Sequence, residues 1–177
     1  MAAILATRYT YKSYDKLVKA QEKYCGQLIQ ENRHNDLLLL GDRVLVGFLY
    51  EKFCEFEANN VGVRYTIKGR YENALLPIQH LIEMTGILLD NAFQAVRGRE
   101  LDGVIQFDFS EEREDYQFKV SNPFPYTSYS EIEIWFQMGK STKGKGHGLG
   151  LYRIRCLCKE ENCDIMCRNV EIEEKTG

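Results

Sequence analysis

The stretch "GKSTKGKGHGLG", from Gly139 to Gly150, sets glycines at 144, 146, 148 and 150 among lysines at 140, 143 and 145. Glycine lacks a Cβ, so neighbouring backbone N–H groups can converge on an anion. Lys140, Lys143 and Lys145 add full positive charge, and Ser141 and Thr142 add hydroxyl donors. From about Gly148 the run "LYRIRCLCKE" has helical spacing. A helix starting there aims free N–H groups and a partial positive charge at the same point. The order is not the G-x-x-x-x-G-K-[ST] of the common P-loop. A surface loop has the same composition, so the loop alone leaves a phosphate cradle and a plain connection both open.

Asn91, in "ILLDNAFQAV", is the second residue with chemistry in it. Met84, Leu88, Ala92 and Ala95 recur at intervals of three or four and mark the apolar face of a long helix. Asn91 lies three residues after Leu88 and points close to that side, with Asp90 beside it. An amide buried without partners costs about 1–3 kcal/mol. Asn91 therefore needs either a strand carbonyl or a ligand held between helix and sheet. Its carbonyl is a hard oxygen of the kind Mg²⁺ prefers. Together with the glycine loop it fits a Mg²⁺–phosphate site.

Positioning these groups falls to a chain of 177 residues, 44% hydrophobic and 28% charged, which suits one domain plus an appendage. A formal charge of −3 gives no nucleic-acid footprint. No apolar run spans a bilayer, and the N-terminus lacks a basic leader and cleavage site. With six cysteines and no signal peptide, the thiols are expected to be reduced, in the cytosol. "CLCKEENCDIMC" (Cys156, Cys158, Cys163, Cys167) tempts as a zinc site. It lacks a tight Cys-x-x-Cys knuckle and reads as packing residues at a helix end, a turn and a strand.

The spacing predicts a polar helix from about Tyr11 to Asn35 with a thin apolar stripe, suited to pairing with another helix. Gly41 and Asp42 punctuate, and Asp42 caps a helix over about 43–60 that ends at "NNVG". "VRYTIKG" reads as a strand. The long helix covers about 76–96, with Pro77 near its start. "GVIQFDFS" and "DYQFKVS" alternate around an acidic "EERED" and predict a hairpin. A short helix in "SEIEIWFQM", the glycine loop, a helix and strand-like "CDIMCRNVEIE" follow. This order predicts an α+β sandwich with helices on one face of a mixed sheet. Residues 1–40 are an N-terminal helical segment, and 41–177 form the main domain.

At this point the sequence resembles a known superfamily. "ILLDNAFQAV" resembles the asparagine box of the GHKL ATPases, which include gyrase, MutL and the histidine kinases. "GHGLGL" resembles their second glycine box, and "FQMGKSTK", from Phe136 to Lys143, resembles the lead-in found in histidine kinases. "VSNPF" stands where the first glycine box belongs. The combination is most similar to peptide-sensing (agr-type) receptor kinases of Gram-positive bacteria. The resemblance implies a Bergerat-type two-layer sandwich that binds ATP and donates its γ-phosphate to a histidine on a dimerisation helix. Asn91 would hold Mg²⁺, and Asn122 would read the adenine amino group. Gly146, His147, Gly148, Leu149 and Gly150 would wrap the phosphates, with Ser141, Thr142 and Lys143 nearby and Phe136 at the base of a lid. The implied partners are a dimerisation helix within a homodimer and a response regulator. The implied location is the cytoplasmic side of a membrane-anchored receptor.

The sequence departs from the family in three places. The first glycine box reads "NPFPY", without glycine, and Asn122 is a neutral amide where an acid is usual. Ile87 occupies the polar position one turn before Asn91, with Glu83 a turn further back, so no base is set to activate water and hydrolysis is not the expected activity. A final strand is expected beyond "VEIEEKTG". His34 tempts as phosphoacceptor, but Asn35 follows it where an acid is usual, and the helix 11–35 reads as the second helix of a hairpin. His34 is therefore expected to be a solvated helix-end residue, with the acceptor absent. Two other readings stand beside the kinase: a GHKL nucleotide-binding module without turnover, and a serine kinase or conformational ATPase.

Overall fold

The computed structural model describes residues 19, 23, 34–71, 76–97, 103–113, 115–138 and 149–170. The chain divides into two compact units, one ending at Phe124 and the other running from Pro125. Of the expected helix over 11–35, only Lys19, Lys23 and its last two residues, His34 and Asn35, are described.

In the first unit, the continuously described part starts at a 3-10 turn, Asn35–Leu40, between His34 and Gly41, both at positive φ. Helix α1, Arg43–Ala58, starts as the sequence predicts: the Asp42 carboxylate accepts the Leu45 N–H at 2.8 Å. Strand β1 is Gly62–Lys68, helix α2 Ile78–Val96, strand β2 Val104–Glu112 and strand β3 Asp115–Ser121. β1 and β2 pair in parallel across the α2 crossover, and β2 and β3 form the expected antiparallel hairpin. Among the described residues the result is a mixed three-stranded sheet, in the order β1-β2-β3.

Alternation on β2 sends Ile105, Phe107 and Phe109 into the core. On the opposite face Gln106 donates to Asp108 at 2.7 Å. One side of the sheet is therefore apolar, and α1 and α2 cover it, with α1 against β1 and α2 against β2 and β3. Leu37 and Leu40 of the 3-10 turn are fully buried in this same core.

Helix α1 stops in the way "NNVG" suggests. Asn60 takes φ 60°, and Val61 N–H donates to Phe56 O at 3.0 Å. That is a Schellman turn, with asparagine in the left-handed position usually held by glycine. Helix α4 of the second unit, Gly150–Glu160, ends identically: Asn162 has φ 53°, and Cys163 N–H donates to Cys158 O at 2.9 Å. Asn60→Ala is expected to lower stability by about 1 kcal/mol, the scale of the left-handed penalty, while Asn60→Gly loses nothing. Urea midpoints of the two variants check this.

Besides α4, the second unit holds a short helix α3, Tyr129–Trp135, within the stretch where the sequence predicts one. Ser128 caps it in a capping box: its amide and hydroxyl donate to Glu131 Oε2 at 3.0 and 2.7 Å. Those bonds, the side-chain one foremost, hold the Glu131 carboxyl below its ordinary range. The strand expected over "CDIMCRNV" is corrected, since residues 163–170 carry no strand and no described strand pairs with them. Alternation yields a strand only where a neighbour supplies the ladder. Here Asn169 supplies the bonds through its side chain, accepting from Thr127 N at 3.1 Å and donating to Thr127 O at 2.7 Å. Met166 is left exposed.

Candidate functional site

Asn91 lies in the last two turns of α2. One turn either side, Ile87 and Ala95 are buried, while Asn91 and Leu88 between them are half-buried. The helix thus leaves a less covered patch on an otherwise buried flank, and the asparagine amide is in it. Among the described residues no side-chain hydrogen bond reaches Asn91, so no strand carbonyl serves it. No described residue therefore competes with a ligand for its oxygen and amide.

Asp90 turns the other way. Its Oδ1 lies 2.9 Å from Lys52 Nζ on α1, with the two side chains only 13% and 16% exposed. Lys52 Nζ also reaches Glu55 Oε2 at 3.1 Å. Burial opposes the charge on Lys52, but Asp90 and Glu55 together outweigh it and lift its pKa above the ordinary lysine range. For Asp90 burial is the larger influence and raises its pKa against the pull of Lys52. Lys52 is the residue that sequence reasoning missed. It lies four after Phe48 and four before Phe56, both buried, so its stem runs along an apolar stripe. An ammonium there demands a carboxylate, and Asp90 answers it.

Asn122 follows the last residue of β3, on the element against which α2 packs. Its Nδ2 donates to the Pro123 carbonyl at 3.1 Å. This orients the amide, and among the described residues Oδ1 has no partner. An acceptor oxygen is what an exocyclic amino group requires, so the amide can do there what a carboxylate would do, without the charge. Ile87 is buried and hydrocarbon, so no acid or base stands one turn before Asn91.

In the second unit Phe136 is half-buried at the C-cap of α3. Leu149 is the N-cap of α4 and Gly150 its first residue, two residues later than the expected start. No described side chain caps α4, and first-turn N–H groups of such a helix are the kind that bind an anion. Ser141, Thr142, Lys143, Gly146, His147 and Gly148 lie outside the described residues.

His34 is not the solvated residue the sequence suggests. Its side chain is 12% exposed, and its ring packs against those of Tyr50, Phe53 and Tyr65 at centroid distances of 6.3, 5.8 and 5.6 Å. Nε2 comes within 3.1 Å of Glu57 Oε1, close enough for an ion pair but misaligned for a hydrogen bond. Its backbone is left-handed, at φ 53°, so His34 does not continue a helix. Cys156, Cys158, Cys163 and Cys167 are free thiols. Burial first, then Cys163, pushes the Cys158 thiol up to about 12, so it stays protonated at neutral pH. No group of His, Cys, Asp or Glu among the described residues is arranged to hold a metal ion, and no helix among them is long and apolar enough to cross a membrane.

Residues 76–175 match the family described as the GHKL domain, which implies ATP binding. The chain is 33% identical over 171 residues to the sensor protein CitS of Bacillus subtilis (strain 168). That alignment covers 93% of this chain but 30% of CitS, so the chain spans less than a third of the curated relative's length. Among solved structures it is similar in fold to the nucleotide-free catalytic domain of the histidine kinase ThkA. The TM-score is 0.52 at 21% identity, over 64% of this chain and 76% of that one. By the family match over more than half its length, the chain belongs to the GHKL domain family.

Proposed function

We propose that this chain binds Mg²⁺-ATP and passes the γ-phosphoryl group to a histidine on a dimerisation helix of the same receptor. The acceptor ring nitrogen attacks the γ-phosphorus, the bond to the β–γ bridging oxygen breaks, and ADP leaves. An aspartate of a response regulator then takes the phosphoryl group. Carrying this reading is the half-buried side-chain amide of Asn91, which makes no hydrogen bond to a described residue; Asn122, whose Oδ1 has no partner among the described residues, offers an oxygen that suits adenine. Asn91 is assigned to Mg²⁺ and Asn122 to the adenine amino group. Gly146, His147, Gly148, Leu149 and Gly150 are assigned to the phosphates, helped by Ser141, Thr142 and Lys143, with Phe136 supporting the lid. Phosphoryl transfer needs positioning and charge neutralisation more than a base, because the acceptor histidine is itself the nucleophile. The buried hydrocarbon of Ile87 is consistent with transfer rather than hydrolysis.

Residues 1–40 are assigned to the second helix of the dimerisation hairpin, which makes the full receptor a homodimer with this domain in the cytoplasm. The neutral Asn122 favours the peptide-sensing branch. One specific feature favours a second reading: "NPFPY", with no glycine, suits a nucleotide-binding module without turnover.

Titration with a non-hydrolysable ATP analogue separates these readings. Saturable, Mg²⁺-dependent binding is expected, and no binding at millimolar analogue by a folded chain would overturn both. With γ-labelled ATP, label is expected on a separately supplied dimerisation helix and not on this chain. The burial of His34 makes it a poor acceptor, and label on His34 would show that assignment to be wrong. Binding without any transfer selects the module.

A further inference from the structure

Three pairs face one another along the seam between α1 and α2. Gly86 allows close approach, since a Cβ there would meet Phe48 Cζ at 3.3 Å. One turn on, Lys52 meets Asp90 at 2.9 Å. A further turn on, Phe56 stacks on Phe93 with centroids 4.7 Å apart and planes 10° from parallel. The steps 48, 52, 56 and 86, 90, 93 run the same way, so the two helices are parallel. The outer pairs hold by apolar contact, which has little directionality and tolerates small slides and rolls. The middle pair does not tolerate them. Both charged heads are largely withdrawn from water, and Glu55 fixes the ammonium from a second side.

Asp90 immediately precedes Asn91, and successive helical side chains are about 100° apart. The roll of α2 that brings Asp90 onto Lys52 therefore also sets the direction of Asn91. Side-chain tips lie about 5–6 Å from the axis, so a roll of about 20° would displace the amide by about 2 Å. Misplacement by about 1 Å is enough to cost orders of magnitude in a positioned reaction. A buried ion pair adds little net stability over a well-packed apolar pair, and fixing register is its best-attested use.

We infer that Lys52 and Asp90 are positioning residues for the nucleotide site: their ion pair locks the roll and slide of α2 against α1 and so aims Asn91 at its ligand. This rests on the reading of Asn91 as the Mg²⁺ residue.

The test uses the whole chain and the double variant Lys52→Met/Asp90→Leu, which leaves no lone buried charge. Binding of a non-hydrolysable ATP analogue is titrated with Mg²⁺ and with EDTA, and thermal unfolding is followed alongside. Retained folding, about tenfold weaker binding with Mg²⁺ and unchanged binding in EDTA are expected, on the scale of losing a partner that orients a metal ligand. Wild-type Mg²⁺-dependent binding by the folded variant overturns the inference, as does an equal loss in both titrations. If the double variant does not fold, Asp90→Asn decides. It keeps the shape and an acceptor but not the charge, and a smaller loss confined to the Mg²⁺ titration is expected. No such loss overturns the inference. Asn91→Ala, run in parallel, separates the two levels. If it leaves the Mg²⁺ dependence intact, the reading of Asn91 fails and takes the inference with it. If it removes that dependence while the lock variants keep it, only the inference fails.

Discussion

Asn91→Ala is expected to abolish the Mg²⁺ dependence of ATP-analogue binding and to lower phosphoryl transfer by about 100-fold or more, the scale of losing one preorganised polar contact to a reacting group. Unfolding should change little. The side chain is half-buried, makes no hydrogen bond to a described residue, and lies in a helix that alanine favours. Binding in EDTA should survive, because Asn122 keeps its Oδ1 as acceptor and its bond to Pro123. Isothermal titration in both media, with circular dichroism as the folding control, reads the outcome. Intact Mg²⁺ dependence would remove Asn91 from the site, and a collapse of the fold would make it a structural residue.

Phe53→Ala is expected to cost about 3–5 kcal/mol, the range for removing a buried phenyl ring. The ring is fully buried, stacks on Tyr65 at 5.4 Å and meets Phe107 edge-on at 5.9 Å. It therefore joins α1 to both parallel strands, and it also supports His34 at 5.8 Å. No single neighbour can fill the space it vacates, because those around it are themselves held by rings. Chemical denaturation should show a large fall in midpoint. A loss below about 1 kcal/mol would mean that the site collapses, contrary to the close packing of interiors.

Asn91 was partly legible in the sequence. Helical periodicity placed Asn91 near the apolar side of α2, because that argument needs only the spacing of its own helix. Its half-exposure depends on what covers the helix, which spacing does not contain. Asp42, Pro77 and the "EERED" hairpin were readable for the same local reason. Lys52 and Asp90 stand 38 residues apart, and a pairing across two helices leaves no local signature beyond a lysine on an apolar stripe. His34 misled because its left-handed backbone, not its polarity, decides where the ring goes. The alternation over 163–170 misled because a strand needs a second strand to pair with, and Asn169 satisfied the backbone of Thr127 without a ladder.

The 3-10 turn before α1 has a practical corollary. Glycine followed by an aspartate cap looks like a natural place to cut, and a fragment beginning at Gly41 would keep α1–α4 and β1–β3. It would also discard Leu37 and Leu40, both fully buried, and the carbonyl of Leu40 that accepts the Tyr71 N–H at 2.8 Å. Two leucine-sized holes would open in the core, each costing on the order of 2–5 kcal/mol, against a total stability of about 5–15 kcal/mol for a typical domain. Anyone trimming this protein for crystals or spectra should therefore place the first residue upstream of His34, because the turn that looks like a leader is the domain's own floor.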